Sequence, residues 1–444
     1  GLVLVVASVL GTNLFMRKKP IFATVPPTPI PSPAPTTILE NQVEFFISSQ
    51  VSSSSREAMM DPFSAQSRAL DWIQETAADP QGNYSDARIV QRYAMAVLYF
   101  ATHGDKWTEN EGWLENPDEC AWHMSTGPRI CDANGQLQKL HLNRNALRGT
   151  LPPDLALLTS LKELALPSNA LTGTLPRDIF ATLTQLTYLD VSNNNIQGNV
   201  PTEMEALTNL ERLYLDENAL TGSLPSEIGL MMSLQAIVVH DNILNGALPS
   251  ELGLLTNLTA LWSFRNALSG SIPSDLGQLT DLLELLLNDN DLTGALPTEL
   301  GNLQSLQFVE SHRNGLQGTI PSEMGNLHDL IWVNIGNNSL TGSLPVVLFE
   351  NKDNLAFFSL HANDLTGSIP TEIGLATQLL QVYVDDNALT GTLPSEIGRL
   401  SLLTRFWASS NRITGQVPPE VCDMWHEIFL LDCSDGIDCT CWQP

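Results

Sequence analysis

The 444-residue chain is short of positive charge. Its 21 Lys and Arg face 49 Asp and Glu, a formal net charge of −28. Such a surface repels phosphate backbones, which excludes nucleic acid as a partner. Cysteine is scarce and confined. Cys120 and Cys131 lie near one end, Cys422, Cys433, Cys439 and Cys441 near the other, and none lies between. An even count held at two ends reads as local disulfide staples, and hence an oxidising compartment. Long apolar runs are missing too. The most apolar stretch, GLVLVVASVLGTNLF, covers residues 1–15 and falls short of the ~20 residues that a spanning helix needs. With Arg17, Lys18 and Lys19 behind it, segment 1–19 reads as a truncated membrane anchor, or else as the apolar core of a signal peptide. By the positive-inside rule those three charges alone would keep the following chain in the cytosol. The cysteines, with glycosylation sequons at Asn83, Asn257 and Asn337, instead favour a membrane-anchored or secreted extracellular protein.

Signatures of catalysis are absent from this stretch: no P-loop, no G-x-S-x-G, no H-E-x-x-H, and no H-R-D with D-F-G. Cys439-Thr440-Cys441 is C-x-C, not the redox C-x-x-C. Neither enzyme activity nor a cofactor is expected here, and only a domain attached upstream would supply one. His141, His240, His312 and His361 fall on strand positions read as exposed. His312 and His361 are two coils apart, ~10 Å at strand spacing, too far for ligands that sit ~2 Å from one zinc ion. No metal site is expected. The pairs Asp216-Glu217 and Asp385-Asp386 read as solvated face.

What the chain has in abundance is periodic. One Asn recurs as Asn145, Asn169, Asn194, Asn218, Asn242, Asn266, Asn290, Asn314, Asn338, Asn363, Asn387 and Asn411, at intervals of 24 residues with two of 25. Around Asn218 the unit reads Leu213-x-Leu215-x-x-Asn218-x-Leu220-x-Gly222-x-Leu224-Pro225. Alternating Leu213 and Leu215 predict a short strand with one buried face. The Asn is expected to enter the interior after the strand and bond backbone groups of adjacent coils. Gly222 meets a backbone shape or close approach, and Pro225 fixes φ on the irregular return side. No coil can bury its Leu face alone, so the copies must stack.

The remaining segments are assigned from composition. Residues 20–60 read as a Pro/Ser/Thr-rich stalk and flexible linker. Residues 61–136 read as a helical cap, with helix starts at Asp61-Pro62 and near Ser85-Asp86. Repeats occupy 137–418 and a Cys-containing cap 419–444.

The repeat resembles the plant-type leucine-rich repeat, with Asn266-x-Leu268-x-Gly270-x-Ile272-Pro273 as a clear instance. Asp105-Lys106-Trp107, Trp113-Leu114 and Cys120-x-Trp122 through Cys131 resemble the N-terminal cap of plant and algal receptor-like ectodomains. Val417-Pro418 and the last four cysteines resemble a C-terminal cap. The resemblance implies an α/β repeat solenoid of twelve right-handed coils with a parallel concave sheet, capped by helices and disulfides. It also implies non-catalytic recognition of a peptide, protein or glycan, with a co-receptor as a further partner and the membrane reached through the N-terminal segment. Inhibition of a secreted hydrolase is an alternative. Another is ice or polysaccharide binding by the hydroxyl ladder of Thr172, Thr221, Thr293, Thr341, Thr366, Thr390 and Thr414. Ser263, Ser311 and Ala408 depart from the inward Leu, so their coils must fill the interior differently.

Strand alternation sends a second set of side chains away from the core. Phe308, Trp332 and Phe357 share one column on successive coils, beside Glu310, Asn334 and Ser359, with His312 and His361 beyond. Trp262, Phe264, Tyr383 and Trp407 extend this candidate ligand site. Exposed aromatics in a row point to a binding surface, here one of flat apolar faces beside hydrogen-bonding groups.

Overall fold

The computed structural model describes residues 37–77, 84–115, 118–122, 130–422, 424, 429–433 and 436–440. The expectations for segment 1–19, for the Pro-rich stretch up to residue 36, for the sequon at Asn83 and for Cys441 lie outside the described residues.

Residues 37–58, expected to be linker, are instead largely helical: α1 is Thr37–Gln50 and α2 is Ser53–Ala58. Val43, Phe46 and Ile47 stand at helical spacing and form an apolar stripe. Ile47 and Val51 are buried against Leu70 and Ile73 of α3 (Ala65–Ala77) and Tyr93 and Val97 of α4 (Asp86–Ala101). The start of α3 also differs from expectation. Asp61 accepts a bond from the Phe63 amide in a turn, and the capping role passes to Ser64, whose hydroxyl accepts from the Ser67 amide at 2.9 Å. Helix α4 begins directly after Ser85, as the sequence predicts.

Beneath these helices the cap closes the first coil with packed aromatics. Trp107 and Trp113 meet edge to face at 4.8 Å, and Trp122 joins them from the Cys120–Cys131 loop at 5.3 Å. Glu119 is wholly buried and is held by Arg88, Arg92 and Gln91 of α4, so its charge is paired rather than orphaned. At the far end Cys433 bonds Cys439, one of the pairings the sequence left open, and Cys422 is also disulfide-bonded.

Between the caps the chain coils at the period of its repeat. Thirteen short parallel strands run in chain order from Lys139–His141 to Phe429–Leu430, one from each of twelve coils and the last from the C-terminal cap. Register matches the repeat, with Phe308 opposite Trp332 and Glu310 opposite Asn334. A second sheet of seven strands, from Gln197–Asn199 to Ser339–Thr341, forms along the L-x-G segments. The return side is made of 3-10 turns, as where Pro225 enters Ser226–Leu230, with an α-helix, Arg177–Thr182, in the second coil. Leu213, Leu215, Leu220, Leu224 and Ile228 from one coil are buried and join one core that runs through the array. Gly222 has φ +73°, a left-handed conformation that favours glycine, and a Cβ there would also push the end of the Asn199 side chain aside.

The Asn ladder forms as its spacing predicts. Asn266 Oδ1 accepts from the Leu244 amide at 2.9 Å, while its Nδ2 donates to the carbonyls of Val239, Ser263 and Phe264. One side chain thus ties two coils. Asn145, with no coil before it, bonds the Glu109 amide and carbonyl of the cap instead. The residue before each ladder Asn, from Arg144 to Ser410, takes a left-handed φ. The departures are absorbed locally. Ala408 directly follows the strand of the larger Phe406, which is fully buried at the other inward position, whereas Ser263 is fully buried with an unpartnered hydroxyl. The second 25-residue interval holds Lys352, buried, with Nζ donating to the carbonyls of Gly325 at 2.8 Å and Leu327 at 2.6 Å. Burial lowers its pKa to about 8.

Candidate functional site

The concave sheet brings four of the predicted aromatics into one run. Trp332 and Phe357 stack at 3.7 Å between centroids with 5° between planes. Phe357 meets Tyr383 at 5.5 Å, and Tyr383 meets Trp407 edge to face at 5.0 Å. Strand pairing places these residues on four successive coils. Phe308 stands beside Trp332 in register. Trp332 and Phe357 each spend one flat face on the other, so stacked side by side on adjacent strands they turn their edges to the groove.

Trp262 and Phe264 belong to a separate island. Phe264 stacks on His240 at 4.2 Å, and the Trp262 indole N–H donates to Glu284 Oε2 at 2.7 Å. His240 is therefore not exposed: it is 9% accessible, lying between Asp216 at 3.7 Å and Asp241 at 2.9 Å. Ser359 is also corrected, being 1% accessible and unable to face a ligand. Alternation turns its side chain from the core, but the longer His361 covers it, with Nδ1 at 2.8 Å from the Ser359 hydroxyl. The His361 ring overlies Gly336, where a Cβ would stand 2.3 Å from Nδ1, and its Nε2 lies 2.6 Å from Asn337 Nδ2. Asn337, a predicted glycan acceptor, thus already holds a histidine through the atom that a glycan would use. Asn257 is exposed and donates to the Met232 carbonyl at 2.9 Å. Asn334 is half-buried on the face, and Trp407 is the most open of the run at 37%.

Carboxylates flank the aromatic run, and their sequence pattern understates them. Asp385 is half-buried, with a buried Oδ1 that has no hydrogen-bond partner, and Asp216 shares that condition. Both therefore depart from the solvated face expected of them. Burial raises the Asp385 pKa, Asp386 adds to the rise, and His361 opposes it. Burial likewise pushes Asp216 up to about 6 against the pull of His240. Glu310 is raised by burial and by Asp289. His312 lies 3.6 Å from Glu310 and 3.8 Å from Asp289, and burial still lowers its pKa. Position two residues before the ladder Asn is the signal that the sequence offers, because it sets Asp216, His240, His312, His361 and Asp385 in one column.

The hydroxyl ladder is largely occupied within the protein. Thr172, Thr341, Thr366, Thr390 and Thr414 donate to glycine carbonyls of the preceding coil at 3.1–3.4 Å. Two openings lie away from the aromatic run. One of about 350 Å³, on the first concave coils, is lined by His141, Glu163, Tyr188 and Arg212. The other, about 720 Å³ between the N-terminal helices and the first coils, is lined by Phe46, Val51, Asp154 and Asp178 among others. Among the described residues no group of His, Cys, Asp and Glu is placed to hold a metal ion, and no helix is long and apolar enough to cross a membrane.

Comparison with known proteins fits this geometry. Leucine rich repeat models match residues 136–158 and 159–220. The plant peptide hormone receptor RGFR1, solved in complex with RGF2, is 36% identical with a TM-score of 0.63, over 66% of this chain and 46% of that one. The Arabidopsis receptor kinase HAESA, solved with the peptide hormone IDA and the co-receptor SERK1, is 28% identical with a TM-score of 0.61, over 78% of this chain and 61% of that one. A leucine-rich repeat protein of Leptospira interrogans is 36% identical with a TM-score of 0.53, over 63% of this chain and 68% of that one. The chain thus spans less than two thirds of either plant receptor structure. No curated protein matches it by sequence. Twelve stacked coils, their Asn ladder and these likenesses agree: the chain belongs to the leucine-rich repeat family and resembles plant receptor ectodomains.

Proposed function

We propose that this chain is the recognition part of an extracellular, receptor-like protein, membrane-anchored or secreted, that binds an extended peptide or protein segment along its concave face without chemistry. The observation that carries the reading is the aromatic run from Trp332 to Trp407, which remains partly accessible on a sheet face instead of joining the core. Support comes from the receptors with peptide hormones bound in their structures, and from SERK1 beside one of them, which makes a co-receptor a reasonable second partner. The mutual stacking of Trp332 and Phe357 favours a peptide over a glycan.

The test is Trp332→Ala against peptides selected on the wild-type chain. Interface energy concentrates in a few aromatic anchors, so a loss of ~2 kcal/mol, roughly thirtyfold in affinity, is expected. Stability should fall by only ~0.5–1.5 kcal/mol, the worth of the lost stack on Phe357. Unchanged binding, or loss of the fold, refutes the assignment of this side chain to recognition.

A further inference from the structure

If the concave face is a recognition surface, as proposed, its charges constrain the chemistry of the ligand. Residues 213–398 hold 21 Asp and Glu but only three basic residues, Arg265, Arg313 and Lys352. None of the three neutralises the carboxylates beside the aromatic run. Arg265 reaches Asp241 at 3.5 Å, and Arg313 reaches Asp289 at 3.2 Å. The Lys352 ammonium is turned into backbone carbonyls. Arg405, at the C-terminal edge of the run, leans on the Tyr383 hydroxyl at 3.4 Å. The other charged groups facing the pair are His312, 3.6 Å from Glu310, and His361 and Asp386 close to Asp385.

Glu310, one coil before Trp332, and Asp385, on the Tyr383 coil, therefore have histidines as neighbours but no Lys or Arg partner. Asp385 Oδ1 is buried and accepts no hydrogen bond. That buried oxygen leaves the half-buried carboxylate short of solvation, a cost that a cation at the accessible side of the group offsets. We propose that the ligand is a cationic extended peptide with two basic side chains, one held by Glu310 and the other by Asp385, while an apolar residue between them rests against the edges of Trp332 and Phe357. Three strand steps separate the carboxylates, since Glu310, Asn334, Ser359 and Tyr383 pair in series and Asp385 comes two residues after Tyr383. At ~4.8 Å per step across the strands, with ~7 Å more along the chain, the span is ~16 Å, and an extended chain rising ~3.3 Å per residue covers it in four or five residues. Guanidinium side chains suit such sites, because their paired N–H groups match a carboxylate.

The experiment screens a positional-scanning library of ten-residue peptides against the wild-type chain and against Glu310→Gln, Asp385→Asn and Trp332→Ala. Circular dichroism and the unfolding midpoint confirm that each variant is folded. The wild type should select Lys or Arg at two positions four or five apart. Glu310→Gln and Asp385→Asn should each erase the preference at one position and weaken the selected peptide roughly tenfold, the effect of losing one charge-assisted hydrogen bond. Acid at that peptide position should restore binding to Glu310→Lys. Selection of neutral or acidic peptides that still need Trp332 overturns the inference and leaves concave recognition standing. Basic peptides that bind both carboxylate variants as tightly as wild type also overturn it, because the attraction then comes from another acidic face. Absence of any Trp332-dependent binding removes concave recognition itself, and the inference falls with it.

Discussion

A ladder asparagine suits its position because one amide supplies both an acceptor and two donors within a single turn. Asn266 uses all of them, on backbone groups of its own coil and of the one before. Asn266→Ala leaves those part-buried groups without partners, and it should cost roughly 1–3 kcal/mol. An unchanged denaturant midpoint would show that the amide contributes nothing. The ladder is legible in the sequence because interior demand for that amide repeats in every coil. The concave residues are only half legible. Alternation predicts which way a side chain leaves the strand, and it does so for Trp332, Phe357, Tyr383 and Trp407. It does not predict what a neighbouring side chain covers. Ser359 lies beneath His361, His240 lies against Phe264, and Asp385 keeps a buried oxygen, because burial on a crowded face depends on the sizes of neighbours in three columns.

At the scale of elements, the N-terminal helices show how a solenoid end is held. Asp154, in the 3-10 turn Pro153–Leu157 of the first coil, is buried and accepts from Gln66 of α3 at 2.8 Å and from the Tyr93 hydroxyl of α4 at 3.4 Å. Burial raises its pKa above 3.8, against the hydrogen bonds from Gln66 and Ser55. A carboxyl that binds its proton more tightly when folded contributes stability that is whole below its unfolded value and is lost as pH rises through the folded one. Near pH 7 the ionised group therefore works against the docking of α3 and α4. Asp154→Asn should raise the unfolding midpoint at neutral pH, and the gain should vanish at a pH below 3.8. A variant less stable than wild type at both values would contradict this account. The neighbouring Cys120–Cys131 bond closes a loop of 11 residues' separation over the first coil. Replacing both cysteines with Ser should cost roughly 3 kcal/mol on chain-entropy grounds, read as a lower denaturant midpoint under non-reducing conditions. Equal midpoints would mean that the packed tryptophans hold the cap unaided. Cys120 and Cys131 can be paired because no other cysteine lies near them, whereas α1 cannot be foreseen, because the composition around residues 38–60 hides its apolar stripe of Val43, Phe46 and Ile47.

Over the whole molecule the same sign recurs, which makes stability against pH a property of the array. Asp154, Asp216, Glu310 and Asp385 all have raised pKa values, with burial as the first cause of each, and Asp216 reaches about 6. Each group stabilises the fold at low pH and loses that contribution as pH climbs through its folded value. Acidifying from neutral should therefore raise stability before general acid unfolding begins. His312 opposes this trend, because burial lowers its pKa from 6.5 and its contribution fades as pH falls through the lowered value. Lys352, at about 8, changes little below neutral because it is already protonated there. Asp105, Asp289 and Asp438 are instead lowered from 3.8, so they stay ionised across this range. Four raised carboxylates against one imidazole set the expected direction, and the net charge of −28 reinforces it, since every bound proton relieves self-repulsion. The unfolding midpoint at fixed ionic strength should rise as pH is taken from about 7.5 to about 5.5, most steeply near the Asp216 value of about 6, and Asp216→Asn should flatten that part of the curve. Added salt should raise the midpoint at pH 7.5 more than at pH 5.5, because it screens repulsion that protonation has not yet relieved. A midpoint that falls steadily from 7.5 to 5.5 in both wild type and Asp216→Asn would show that the histidine governs the array and that the buried carboxylates are already compensated.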